Sequence, residues 1–196
     1  MGTGSTLLII LAVLAVYIIS IYNQLVAGKN EFKNAFSQID VQLQRRYDLI
    51  PNLVETARAY MQHEQETLSR VIAARNEASV KAGAAAENPD NASLVGALAR
   101  AESNLGRELG KFSVVVENYP ELKADQNMRD LSDELVTTDN RVSFARQAYS
   151  DSVMRYNTLR EEFPSNLIAG LFNFRPADLF EIRDPDIGEP MRISLA

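Results

Sequence analysis

Residues Thr6 to Val26 form one apolar run, TLLIILAVLAVYIISIYNQLV, with no charge inside it and Lys29 just beyond. At ~1.5 Å per helical residue the run reaches about 31 Å, close to the ~30 Å hydrocarbon thickness of a bilayer. Thirteen of its residues are Leu, Ile or Val. In a spanning helix these favour insertion by about 4 to 8 kcal/mol before polar residues are counted. The sequence therefore predicts an anchor over residues 1–28, with Leu7, Ile10, Leu14, Ile18 and Ile21 among its transmembrane residues and membrane lipid as its partner. A cleaved signal peptide would need a basic leading segment, and MGTGST carries no basic side chain. Ala12 and Ala15 would let two spans approach closely.

The positive charges nearest the run, Lys29, Lys33, Arg45 and Arg46, all lie on its C-terminal side. By the positive-inside rule the following residues are cytoplasmic and the short N-terminus is outside. The whole chain carries 20 Lys and Arg against 26 Asp and Glu, and Lys29 is the only charge in the first 30 positions. An acidic body of this kind argues against a nucleic-acid partner, which would call for a basic face. The absence of Cys removes disulfides, thiolate nucleophiles and Cys-bound metals.

Beyond the anchor the apolar residues recur every three or four positions, as Phe32, Phe36, Ile39 and Leu43 continue Ile18, Ile21 and Leu25. That stride is helical. The spacing predicts a first helix to about Arg46, then a turn at Tyr47-Asp48, with Asp48 as cap and Pro51 in the first turn of a second helix. The second helix should fray in the Gly-Ala stretch from Ala82 to Ala86. Asn88-Pro89-Asp90 reads as the start of a third helix reaching Tyr119, and Asp125 as the cap of a fourth that Pro164 stops. The predicted fold class is all-α: an N-terminal transmembrane helix, then an antiparallel up-and-down four-helix bundle with long helices (29–164), and an irregular C-terminal tail (165–196).

The tail is apolar in its first half and acidic and proline-marked in its second, which should be extended. With the turn at Tyr47-Asp48, the first helix would rise about 30 Å from the membrane, and a second helix from Leu49 to Ala82 would return about 51 Å. That mismatch calls for a leaning bundle or for a homo-oligomer in which apolar residues leave lipid for protein. Leu167, Ile168, Leu171, Phe172, Phe174 and Phe180 are then the candidate contacts to the bilayer surface or to a second subunit.

Chemistry-bearing motifs are scarce. His63 is the only histidine, within HEQET rather than HExxH, and no GxSxG, phosphate loop or dinucleotide fingerprint occurs. No catalytic, cofactor or metal residues are assigned. Glu102, Glu108, Asp130, Asp133 and Glu134 read as solvated carboxylates. The densest polar group is Arg45, Arg46, Asp48 and Asn52, followed by Asp139-Asn140-Arg141 with Arg146. Each is more simply explained by structure than by binding, through helix dipoles in the first case and an inter-helix pair in the second.

The blocks YNQLV at 22–26, IDVQLQRRYDLIPNLV at 39–54, YPELKA at 119–124, and DNRV at 139–142 with Ala145, Arg146 and Tyr149 closely resemble the LemA family of bacterial membrane proteins. The chain departs from the family pattern at Asp139, where Glu is usual, and at Ser150, where Asn is usual. The resemblance implies a single N-terminal helix in the bacterial cytoplasmic membrane, a cytoplasmic helical bundle and no established enzymatic activity. Relatives tied to organelle formation in magnetosome-forming bacteria suggest scaffolding by analogy. The expected function is a non-enzymatic scaffold or partner-docking protein. A single-span sensor or ligand-binding bundle signalling through helix 1 is the alternative, and an enzyme the third reading.

Overall fold

The computed structural model describes residues 3–181, all of its regular elements helical: α1 (Thr3–Arg58), α2 (Gln65–Glu87), α3 (Ala92–Val116), α4 (Pro120–Ala124), α5 (Gln126–Glu161) and α6 (Ser165–Leu171). The proposed extended conformation of the second half of the tail falls on residues 182–196, outside the described residues.

α1 is one helix from the apolar run to Arg58, and the expected turn at Tyr47-Asp48 does not form. The apolar stride simply continues, with Leu43, Tyr47, Ile50, Leu53, Val54 and Ala57 all buried. A proline inside a helix costs about 3 kcal/mol, partly because the carbonyl four residues earlier loses its N–H partner. Here that carbonyl belongs to Tyr47, and Arg75 Nε of α2 donates to it at 2.8 Å. Burial on both sides of Pro51, with this substitute bond, carries the helix through. The chain reverses instead at residues 59–64, where Met61 is fully buried and Tyr60 Oη donates to Asp125 Oδ2 at 3.1 Å.

Moving the turn removes the length mismatch. From Val26 to Arg58 α1 extends about 48 Å, and α2 returns only about 35 Å. Its end meets α1 just beyond the apolar run, where Asp90 pairs with Lys29 at 2.8 Å and with Lys33 at 3.5 Å. The helix-length argument for a second subunit therefore falls away.

The expected fraying after Ala82 is also absent. α2 stays helical to Glu87 because Ala74, Ala78, Ala82 and Ala85 are buried in the shared core. The cap of α3 is Asn91 rather than Asn88: its side chain accepts from the amides of Ser93 and Leu94, while Asn88 closes α2. Asp125 does cap α5, accepting from Met128 N at 2.9 Å.

α1 packs mainly on α5 and α2, and α2 on α3. Along the α1–α5 seam Glu31 pairs with Arg155, Phe32 lies 5.1 Å from Tyr156, Phe36 lies 5.5 Å from Tyr149, and Arg45 pairs with Glu134. Numbers rising on α1 meet numbers falling on α5. Gly28 faces Tyr156 across this seam, where a Cβ would stand 3.4 Å from Tyr156 Cδ2, an ordinary van der Waals contact.

A smaller cluster joins α6 to the anchor end of α1 through Ile21, Leu25 and Ala169. α6 ends in a Schellman turn: Phe174 N donates to Ala169 O and Asn173 N to Gly170 O, with Asn173 at a φ of 56°. The turn sends the chain back along α5.

Candidate functional site

Four helices bring polar groups into one buried centre. Arg46 Nη1 on α1 donates to Glu102 Oε2 on α3 at 2.6 Å, and Tyr47 Oη donates to Glu102 Oε1 at 2.5 Å. Arg46 Nε lies 2.9 Å from Asp139 Oδ1 on α5. Arg75 of α2 reaches the Tyr47 carbonyl beside them. Arg46 and Glu102 are 8% and 1% exposed, so their charges are compensated by each other rather than by water.

Glu102 is thus no solvated carboxylate, contrary to the expectation from sequence. It occupies the apolar stride of α3 between Leu98 and Leu105, both buried, and that position was the available signal. Burial, reinforced by the Glu102 carboxylate, pushes the Tyr47 phenol well above its ordinary range, so Tyr47 remains a hydrogen-bond donor. Burial also raises the Asp139 carboxyl, against the opposing pull of Arg46. An ion-paired carboxylate and a hydrogen-bonded phenol are suited to fixing helix register.

The other singled-out residues scatter. Arg45 forms an exposed ion pair with Glu134 at 2.5 Å. Asp48 is exposed, with Arg75 Nη2 at 3.8 Å. Asn52 and Arg141 are exposed, and neither reaches the buried centre. Among the described residues no group of three metal-ligating side chains converges.

Arg146 belongs to a second constellation. After the turn at Asn173 the chain runs along α5, and side chains of α5 take up its main-chain groups one after another. Tyr156 Oη donates to Arg175 O at 2.9 Å, and Tyr149 Oη to Asp178 O at 2.8 Å. Asn157 holds Ala177 from both sides, donating to its carbonyl at 2.8 Å and accepting from its amide at 3.0 Å. Arg146 donates to Phe180 O at 3.2 and 3.3 Å from two nitrogens, and its guanidinium lies 5.2 Å from the Phe180 ring centroid.

The spacing fits because seven helical residues from Tyr149 to Tyr156 rise about 10.5 Å, the reach of three residues of extended chain. Burial lowers the Arg146 pKa, with Glu102 and Glu181 opposing, and pushes the Tyr149 phenol upward. Sequence reasoning missed Tyr156 and Asn157 as partners of this strap, although Tyr149 and Tyr156 stood in the helical stride.

Phe180, expected on the outside, is 1% exposed in the chain's own core, 6.4 Å from Phe36. The other tail residues divide. Ile168 and Phe174 pack on Ile21 and Leu25, whereas Leu167, Leu171 and Phe172 remain exposed. Leu7, Ile10 and Leu14 are exposed along the anchor, Ile18 is half-covered, and Ile21 is buried where α6 reaches it. The N-terminal part of α1 is long and apolar enough to cross a membrane.

Comparison with known proteins agrees with this picture. Magnetosome protein MamQ 2 and Magnetosome protein MamQ 1 of Paramagnetospirillum magneticum are each 26% identical over 176 residues, covering 82% of this chain and 64% of theirs. Magnetosome protein MamQ of Magnetospirillum gryphiswaldense is 25% identical over 175 residues, covering 81% of this chain and 64% of its own. The chain thus spans less than two thirds of the length of these relatives. The sequence profile of the LemA family matches residues 35–194, from the first turns beyond the anchor through the buried polar centre and the strap. This membrane-associated helical chain belongs to the LemA family.

Proposed function

We infer that the chain is a non-enzymatic, single-pass membrane protein, an antiparallel up-and-down four-helix bundle held at the bacterial cytoplasmic membrane as a scaffold or docking partner. The N-terminus lies outside and the bundle in the cytoplasm, as the basic residues after the anchor favour. The observation that carries this reading is that anchor and body share one helix. Leu7 to Tyr17 of α1 are exposed apolar residues, and the same helix supplies the core from Ile21 to Ala57. A body built this way is presented at a fixed geometry to the membrane, as a scaffold requires. The names of the magnetosome relatives accord with work at a membrane-bounded structure.

Self-association is part of the proposal, with Ala12 and Ala15 allowing close approach of spans. The test is the mass of the full chain in detergent, measured by light scattering beside a chain beginning at Gly28. A defined assembly that shrinks without the anchor supports scaffolding by self-association. Monomers in both cases would leave docking of a foreign partner. The sensor reading draws on the same continuous helix, because α1 links the anchor directly to the buried Arg46–Glu102 pair.

A further inference from the structure

We propose that Phe163, Leu167, Leu171 and Phe172 enter the boundary between headgroups and acyl chains of the same bilayer that the anchor crosses, giving the chain a second, in-plane membrane contact. The inference rests on the reading of α1 as a membrane span. These four side chains are 80%, 62%, 75% and 50% exposed. Leu167 and Leu171 stand one turn apart on one face of α6, opposite Ala169, which is buried against Ile21 and Leu25, with the partly buried Ile168 at the flank. From Phe163 to Phe174 the sequence FPSNLIAGLFNF holds no charge at all. A water-facing helix of this chain looks different: the exposed faces of α2, α3 and α5 all carry charged side chains.

The position of this face identifies its occupant. The inner side of α6 packs on Ile21 and Leu25, the last turns of the apolar run, so its outer side lies at the depth where α1 leaves the hydrocarbon. Tyr22 meets Phe172 and Phe174 edge-on, with ring centroids 4.9 and 5.6 Å apart. Aromatic side chains clustered at that depth suit the headgroup level. The exposed face is therefore continuous with the exposed apolar surface of the span, which lipid must cover in any case.

The contact is apolar, not electrostatic. Lys29 and Lys33 are engaged by Asp90, and Arg160 by Glu161, so these three cations are already paired within the chain. A bilayer of zwitterionic lipid suffices. An amphipathic segment beside a span, held by buried apolar area, fixes the tilt of the attached body.

The chain contains no Trp, so a single substitution introduces a unique probe. Leu171→Trp, Leu14→Trp and Val136→Trp are each made in the full chain and reconstituted into vesicles of phosphatidylcholine, with or without bromine on its acyl chains. Val136 is exposed on α5 far from α6 and reports water. The proposal expects Trp at 171 to emit to the blue of Trp at 136 and to lose most of its intensity in brominated lipid, as Trp at 14 does. Quenching at 14 with water-like, unquenched emission at 171 overturns the in-plane contact while leaving the span intact. Blue but unquenched emission at 171 overturns it in favour of a protein cover. Absence of quenching at 14 would overturn the anchor reading itself.

Discussion

Arg75 donates from Nε to the main-chain carbonyl of Tyr47 at 2.8 Å, taking the place of the N–H that Pro51 lacks. The guanidinium also lies 6.0 Å from the Tyr47 ring centroid. One side chain of α2 thereby repairs the ladder of α1 and pins the two helices together.

Arg75→Ala should lose about 1 to 3 kcal/mol, the cost of leaving a half-buried carbonyl without its charged donor. Pro51→Ala restores the natural N–H, so the same Arg75 substitution should cost less in that background. The coupling should exceed about 0.5 kcal/mol in a double-mutant cycle read by denaturant unfolding of the full chain. Strict additivity would show that the two residues act independently.

This pair also marks where sequence reading stops. The stride from Ile21 to Leu43, the cap at Asp125 and the stop at Pro164 were legible because each is a local pattern with a local cause. The break expected near Pro51 was wrong because the compensating donor lies 28 residues from Tyr47 along the chain. No window of helical periodicity contains it. Glu102 was misread despite a signal, since a carboxylate in an apolar stride needs a buried partner. The strap left almost no trace, because α5 grips its carbonyls and a main-chain carbonyl has no letter in the sequence.

Glu102→Gln keeps a hydrogen-bonding side chain but removes the buried counter-charge of Arg46, leaving only the half-exposed Asp139 beside the guanidinium. A loss of about 3 kcal/mol is expected, as for breaking one side of a buried pair. Asp139→Asn, at the half-exposed end of the same network, should stay within about 1 kcal/mol. The sign with pH also differs from that of an ordinary salt-bridged acid. Burial raises the Asp139 pKa above its usual 3.8, so the folded state holds that proton more tightly than the unfolded chain. The penalty is complete at neutral pH and is relieved as pH falls through the raised value. Unfolding midpoints of the two variants, compared at neutral pH, check the ranking; equal losses would contradict it.

Asn157→Ala removes both bonds to Ala177 at once, leaving a main-chain amide and carbonyl to find new partners. A loss of about 1 to 2 kcal/mol is expected, concentrated in the strap. Helical circular dichroism should hardly change, since the strap is not helical. Limited proteolysis should cut faster near residues 175–180 in the variant than in the unaltered chain. An unchanged cutting rate would mean that Tyr149, Tyr156 and Arg146 hold the strap without Asn157.

Asp90 ties the α2–α3 turn to α1 immediately beyond the anchor, and its charge state should be felt there. The hydrogen bond from Lys29 holds its carboxyl below the ordinary 3.8, opposed by partial burial and assisted by Lys33. A carboxyl lowered in the folded state adds stability that is complete above the unfolded value and is lost as pH falls through the folded one. The pair is partly exposed, so the contribution should be below about 1 kcal/mol. Asp90→Asn should therefore destabilise the chain slightly at neutral pH and flatten its stability profile below pH 3.8. Profiles of variant and unaltered chain would then converge with acid. Profiles that stay parallel through that window would mean that the Lys29–Asp90 contact does not hold the turn against the anchor helix in solution.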